Sequence, residues 1–251
     1  MLDINNLTIT FGGLTAVNDV SMHLDEGKIY GLIGPNGAGK TTFFNLVSGV
    51  YIPTSGNISF CGSSLNGKKP YQINKAGISR TYQVINLFKK MTVLENILVG
   101  MHTQMKSDFA ASLFHLRKER REEEEAVEKA HQWLQFVGID QRANDMAGSL
   151  PYGEQRLLEI VRALSSKPRL ILLDEPAAGM NSAEKETLNG FIRKIMSELH
   201  VTPLVIEHDM KLIMDICDYI FVLSFGKKIA EGTPQQVQAD PEVIAAYLGG
   251  E

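Results

Sequence analysis

Two cysteines in 251 residues, Cys61 and Cys217, are too few for a disulfide framework, and they lack metal-ligand spacing. A reducing, cytosolic setting fits them best. No apolar run approaches the ~20 residues needed to cross a bilayer. The first residues, Met1 to Asn6, lack the basic region and apolar core of a signal peptide, so none is expected. A role at a membrane is therefore expected to run through a partner. Basic excess is missing too: the formal net charge is −4, which offers no general field for nucleic acid or an anionic lipid surface. Neither an internal repeat nor a low-complexity segment is present. The 44% hydrophobic content suffices for one large domain or two joined lobes.

Against that background one stretch stands out, Gly34-Pro35-Asn36-Gly37-Ala38-Gly39-Lys40-Thr41. It fits the phosphate-loop pattern of Gly, four free positions, then Gly-Lys-Thr. Glycines let the backbone fold into a nest of inward N–H groups, and a following helix adds its positive N-terminal end. Lys40 is expected to reach the β- and γ-phosphates of a nucleotide, and the Thr41 hydroxyl to complete Mg²⁺ coordination. Thr42 is counted with them as a nucleotide-binding residue. Lys28 to Ile33 reads as a buried strand entering the loop, and Thr42 to Val47 as a helix leaving it, the setting this motif requires.

Around the loop, residues 2–60 alternate apolar and polar in short pieces separated by turn signals, which predicts antiparallel strands beside the phosphate-loop unit. From Thr92 to Asn144 the pattern turns helical, with Val127, Ala130, Leu134 and Val137 at helical spacing. The mixed-sign run Lys118 to Glu125 reads as an exposed helix face, and Trp133 as a packing residue. From Leu150 onward helix and strand alternate, an α/β pattern with buried strands at Leu170 to Leu173 and Pro203 to Ile206. The expected organisation is a nucleotide-binding core, 1–84 plus 150–251, interrupted by a helical subdomain at 85–149.

The strand Leu170 to Leu173 ends in Asp174-Glu175, at the carboxyl edge where open α/β sheets bind ligands. Asp174 is expected to hold Mg²⁺ through water, and Glu175 to orient and polarise the attacking water.

Leu150-Pro151-Tyr152-Gly153-Glu154-Gln155-Arg156 resembles the signature segment of ABC-type ATPases, usually Leu-Ser-Gly-Gly-Gln followed by Gln-Arg. The resemblance covers essentially the whole chain. It implies the P-loop ABC ATPase fold, α/β with an antiparallel β subdomain and an inserted helical subdomain, and ATP hydrolysis with Mg²⁺. By resemblance Phe11 stacks on adenine with Val17 beside it, and Gln83 senses Mg²⁺ and γ-phosphate at the junction of core and helical lobe. His208 is similar to the switch histidine on the γ-phosphate, and Ala178 to Asn181 to the loop that crosses a dimer interface. In such head-to-tail pairs each nucleotide meets the partner's signature, here Tyr152, Gly153 and Glu154. The other histidines have no comparable setting.

Two departures from the family pattern matter. Pro151 replaces the signature serine, with neither its hydroxyl nor its N–H, and Tyr152 replaces a glycine. Asn181 replaces the interface aspartate. Both affect the site this chain donates, which suggests an asymmetric pair with a different ATPase. Arg80 to Gln83, Met91 to Asn96, Glu175 to Asn181, Ile206 to Lys211 and the ending Tyr247 to Glu251 resemble the ATPases of branched-chain amino acid importers. Urea/amide importers and the lipopolysaccharide-export ATPase share much of this pattern. A weakly hydrolysing regulatory nucleotide-binding subunit is a further alternative, and a soluble ABC ATPase of DNA repair or translation another. The branch implies two ATPases, two integral membrane permease subunits and an extracytoplasmic solute-binding protein, with no nucleic acid partner. It places the chain in the cytoplasm, peripheral on the inner face of the membrane. The apolar residues of Met91 to Met105 are expected either to receive a permease helix or to pack internally.

Overall fold

The computed structural model describes residues 1–101 and 117–248. The side chains of Lys118 to Glu123 in the charged run, residues 102–105 of the proposed docking segment, and the ending Gly249 to Glu251 lie outside the described residues. The chain divides into two compact units, residues 1–83 with 169–251, and residues 84–168.

The first unit carries two sheets. β1 (Leu2–Phe11), β2 (Leu14–Leu24), β4 (Ser55–Phe60) and β5 (Ser63–Ser64) form an antiparallel sheet in the order β2-β1-β4-β5, as the alternation predicts. Leu2, Ile4, Leu7 and Ile9 of β1 point inward, and polar residues face out between them. The second sheet runs β10-β9-β3-β8-β7-β6, using β3 (Tyr30–Ile33), β6 (Ile78–Arg80), β7 (Leu170–Asp174), β8 (Thr202–Ile206), β9 (Tyr219–Ser224) and β10 (Lys227–Gly232). All of its pairings are parallel except the β9–β10 hairpin. Every residue of β3, β7 and β8 is buried, which is why Leu170 to Leu173 and Pro203 to Ile206 read as apolar runs rather than alternating ones, with Asp174 and Thr202 the buried polar ends. α1 (Lys40–Val47) lies between the sheets, with Phe43, Phe44 and Val47 fully buried in their shared core. α2 (Pro70–Ala76), α6 (Ser182–Leu199), α7 (Met210–Ile216), α8 (Pro234–Ala239) and α9 (Pro241–Leu248) complete the unit.

In the second unit α3 (Val93–Met101) packs on α4 (Arg117–Val137) and α5 (Tyr152–Leu164). Ala126, Ala130 and Leu134 are the buried stripe of α4, while Val127 and Val137 are only half-buried. Trp133 is half-buried and edge-on to Phe136 at 6.1 Å, a packing role. Val93 and Ile97 are fully buried and pack internally, whereas Leu94 and Leu98 are half-buried. The unit extends to residue 168, past the edge read at 149, because Leu158, Val161 and Leu164 of α5 are buried and α5 packs on α3 and α4.

Candidate functional site

β3 delivers the chain into the phosphate loop, and glycine is required at two of its positions. Gly34 has φ +150°, and a Cβ there would lie 2.1 Å from the Leu223 carbonyl oxygen of β9. Gly39 has φ +100°, and its Cβ would meet the Ala16 carbonyl oxygen of β2 at 2.4 Å. The loop is thus wedged between two strands that are distant in sequence. The β9–β10 turn pins it further: Gly226 N–H donates to Ala38 O at 3.0 Å, and Asn18 N–H donates to Gly226 O at 2.7 Å. α1 starts directly after Gly39, so the first-turn N–H groups of Lys40, Thr41 and Thr42 have no partner within the helix and can receive an anion.

Lys40 is buried, and its Nζ donates to the carbonyls of Gly34 (2.7 Å) and Pro35 (3.0 Å). Burial pushes its ammonium below the usual lysine range, opposed by the charges of Glu175 and Asp174. A cleft of about 450 Å³ opens on the loop, within the ~300–1,000 Å³ typical of small-molecule sites. Asn36 to Thr42, Glu175 and His208 line it, with Leu14, Thr15, Ala16, Phe225 and Gly226.

Glu175 follows β7 in the left-handed region at φ +46°, a conformation costing about 1–2 kcal/mol for a residue with a side chain. That turn aims its carboxylate sideways: Gln83 Nε2 donates to Oε2 at 2.8 Å, and His208 Nε2–H donates to Oε1 at 2.7 Å. Three residues separated widely in the chain therefore meet on one carboxylate, beside the charge of Lys40. A carboxylate oriented from both sides can take a proton from a water attacking a phosphate. Asp174, one residue earlier, is buried, and Arg80 donates to its Oδ2 at 2.8 Å. Thr41, Asp174 and Gln83 offer only oxygen donors, the chemistry of a hard cation such as Mg²⁺. Among the described residues no group of three or more His, Cys, Asp or Glu could hold a metal unaided. Three protein oxygens fall short of the octahedral set of Mg²⁺, and waters or phosphate oxygens would supply the rest.

The loops on either side are braced by residues that sequence reasoning did not single out. Glu207 is buried, and its carboxylate accepts from Ala177 N–H (2.7 Å) and His208 N–H (3.1 Å). Burial raises its pKa, offset in part by these backbone donors and that of Asp209. It ties the turn after Glu175 to the start of the His208 loop. Asp209 caps α7 by accepting from Leu212 N–H at 3.2 Å, and Lys185 of α6 donates to it at 2.7 Å. Asn181 caps α6: its Oδ1 accepts from Glu184 N–H at 3.0 Å, and Glu184 accepts from its N–H at 2.9 Å. Asparagine caps as well as aspartate, so this departure leaves the helix intact and removes only a charge.

Of the residues expected around the nucleotide in this unit, Gly34, Pro35, Gln83 and Asp174 lie behind the cleft lining, and Phe11 and Val17 also stay out of it. Phe11 is half exposed, its ring edge-on to Tyr51 at 5.2 Å. Val17 is fully buried in the core, so its side chain presents no surface to a base. Leu14, Thr15 and Ala16 of the same hairpin face the cleft instead. Phe225 escaped notice because an apolar residue in a tight turn carries no motif, yet it is 92% exposed at the cleft rim.

In the second unit Pro151 is the residue before α5 and makes no side-chain cap, so Tyr152, Gly153 and Glu154 form an uncapped first turn. Tyr152 is exposed, Gly153 buried, and Glu154 lies 3.7 Å from Arg142. Behind them the buried Arg156 donates to Glu159 at 2.8 Å within α5, and the other oxygen of Glu159 accepts from Asn86 N–H at 3.0 Å, which ties the helix to its lobe.

Comparison with known proteins agrees with this geometry. The sequence model of the ABC transporter family matches residues 17–178. A second, described as the branched-chain amino acid ATP-binding cassette transporter, matches residues 227–251. The chain is 47% identical over 249 residues to the high-affinity branched-chain amino acid transport ATP-binding protein BraF of Pseudomonas aeruginosa, covering 99% of this chain and 98% of that protein. It is 45% identical to the corresponding protein LivG of Escherichia coli, with the same coverage. Among solved structures, an ATP-binding cassette of an ABC transporter in its ADP conformation superposes with a TM-score of 0.85 at 32% identity, covering 100% of this chain and 99% of that one.

Proposed function

This chain belongs to the ABC transporter ATPases, and we propose that within that family it powers an importer of branched-chain amino acids. The observation that carries hydrolysis is the Glu175 carboxylate, held between Gln83 and His208 beside the Lys40 loop. In this reading Lys40 and the first-turn N–H groups of α1 bind the ATP phosphates. Glu175 takes the proton of the attacking water, and His208 orients Glu175 and contacts the γ-phosphate. Thr41, Asp174 and Gln83 would hold Mg²⁺, which would supply neutralisation of the phosphate charge. The assembled Glu175 cluster argues against a subunit that binds ATP without turning it over.

The transported solute is supported by the relatives' function and by the match at residues 227–251. Among the described residues no helix is long and apolar enough to cross a membrane. In this reading the chain acts with two permease subunits and an extracytoplasmic solute-binding protein, from the inner face of the membrane. Uptake of labelled leucine, isoleucine and valine in cells whose only copy of this chain carries Lys40→Ala tests the reading. Uptake should fall to background; unchanged uptake, or loss of urea uptake instead, would overturn it.

The replacement of the signature serine by Pro151, which removes a hydroxyl and an N–H, and of the interface aspartate by Asn181 supports an asymmetric pair in which a different ATPase completes this chain's own site. Pro151→Ser should then raise ATP turnover in a homodimer while leaving the site containing Lys40 unaffected in the heterodimer. Equal effects on both sites, read by single-site nucleotide trapping, would refute the asymmetry.

A further inference from the structure

Arg80 ends β6, three residues before Gln83, and its side chain is 6% exposed. One guanidinium nitrogen donates to Asp174 Oδ2 at 2.8 Å; the other donates to Asn45 Oδ1 at 2.7 Å and to Ser48 Oγ at 2.9 Å, both on α1. The planar group lies over the Phe44 ring at 5.6 Å and the Tyr82 ring at 5.1 Å. Its Nε is buried without a hydrogen-bond partner. The fold accepts that cost to aim the two terminal nitrogens at α1 and at Asp174. One arginine thus joins the helix that begins with Lys40, the strand that ends in Asp174 and the segment that leads to Gln83.

Around Asp174, Lys40 and Arg80 offset Asp174 and Glu175, with the buried Glu207 carboxylate behind Glu175. Hard divalent cations bind through several oxygens, and Mg²⁺ usually through one or two carboxylates together with substrate phosphates. Here one oxygen of the single candidate carboxylate is already engaged by a permanently charged guanidinium, which cannot be titrated away.

We propose that Arg80 is a positioning residue that neutralises Asp174 in the absence of nucleotide, so that a divalent cation enters only together with ATP phosphates. The arriving triphosphate brings the missing negative charge and oxygens, and Arg80 holds Asp174 so that its second oxygen faces them. Free cellular Mg²⁺ is thereby kept from occupying the site and crowding the Lys40 loop. The inference rests on the assignment of Asp174 to the metal made above.

Mn²⁺ serves as the probe, as another hard cation of octahedral oxygen sites. Its binding is followed by electron paramagnetic resonance on the whole chain, with and without ATP. The native protein should bind Mn²⁺ with ATP but not Mn²⁺ alone. Arg80→Met and Arg80→Gln should tighten binding of Mn²⁺ alone by about tenfold or more, since one positive charge is removed from a divalent site of low dielectric. Arg80→Lys, which keeps the charge, should behave like the native chain. Adding Asp174→Asn to Arg80→Gln should abolish the gained binding. A purely structural arginine would not open a metal site on removal. Native-like affinity for Mn²⁺ alone in a folded Arg80→Gln variant overturns the proposal. Should both neutral variants fail to fold, tight binding of Mn²⁺ alone by the native chain overturns it equally. If Asp174→Asn alone leaves Mn²⁺·ATP binding unchanged, the metal assignment itself fails; if it weakens that binding while the arginine variants stay native-like, only the present inference fails.

Discussion

Replacing Glu175 by Gln separates chemistry from binding and from folding, because the structure predicts a different magnitude for each. Backbone conformation is preserved, since Gln tolerates the same left-handed φ as Glu and the Glu175 N–H bond to Ile206 O at 2.9 Å does not involve the side chain. Of the two hydrogen bonds on the carboxylate, the amide oxygen of Gln can keep only one. Its –NH₂ then faces the donor of either Gln83 or His208, a loss of about 1 kcal/mol. For a chain of this size that lowers Tm by roughly 2–4 °C. The chemical step loses its general base, worth about 10²–10⁴ in rate, or ~2.7–5.5 kcal/mol of barrier. Lys40 and the α1 N-terminus, which supply the phosphate contacts, are untouched. ATP Kd should therefore change by no more than a few-fold. Single-turnover hydrolysis, ATP titration and thermal melting on one preparation give all three quantities. A folded variant whose turnover falls less than tenfold would remove Glu175 from the role of base. A loss in affinity as large as the loss in turnover would mean that the residue binds nucleotide rather than activates water.

Other tests reach different parts of the molecule. Gly34→Ala should cost more than ~2 kcal/mol of stability, from positive-φ strain plus the 2.1 Å clash with Leu223 O. A melting curve within 1 °C of native would refute the close fit of the loop against β9, taking roughly 2–4 °C per kcal/mol. The two thiols should differ sharply towards a colorimetric disulfide reagent: exposed Cys61 reacts at once, whereas burial raises the pKa of Cys217 and shields it until the chain is denatured. Two fast thiols in the native state would contradict the packing around β9. Lys185 holds the Asp209 carboxylate below its ordinary 3.8, so the folded chain protonates it less readily than the unfolded one. The stability it contributes is full above pH 3.8 and is lost as pH falls through the lower folded value. Asp209→Asn should therefore flatten the acid limb of Tm against pH, and an unchanged limb would show that the pair contributes nothing.

The chain's local motifs were legible because each needs only neighbours in sequence. Gly34 to Thr41 specifies a loop by backbone freedom and charge within eight residues, and Leu170 to Glu175 specifies a buried strand with acids at its end. The short alternating stretches of β1 and β2 and the apolar runs of β7 and β8 likewise carry their burial in their own periodicity. What tertiary structure alone decided are the contacts that close over long separations. Arg80 meets Asp174 across 94 positions and Gln83 meets Glu175 across 92, so no spacing rule announces either. The same holds for Glu207, whose adjacency to His208 in sequence conceals its reach across 30 residues to Ala177. Phe11 and Leu14 lie on one hairpin with similar apolar side chains, and only the placement of that hairpin against the phosphate loop gives the cleft to Leu14. The edge of the helical lobe moved for a related reason: the apolar face of α5 is evident in sequence, but the surface that covers it is not. Periodicity records that a side chain will be buried, and the partner that buries it is chosen by the folded chain.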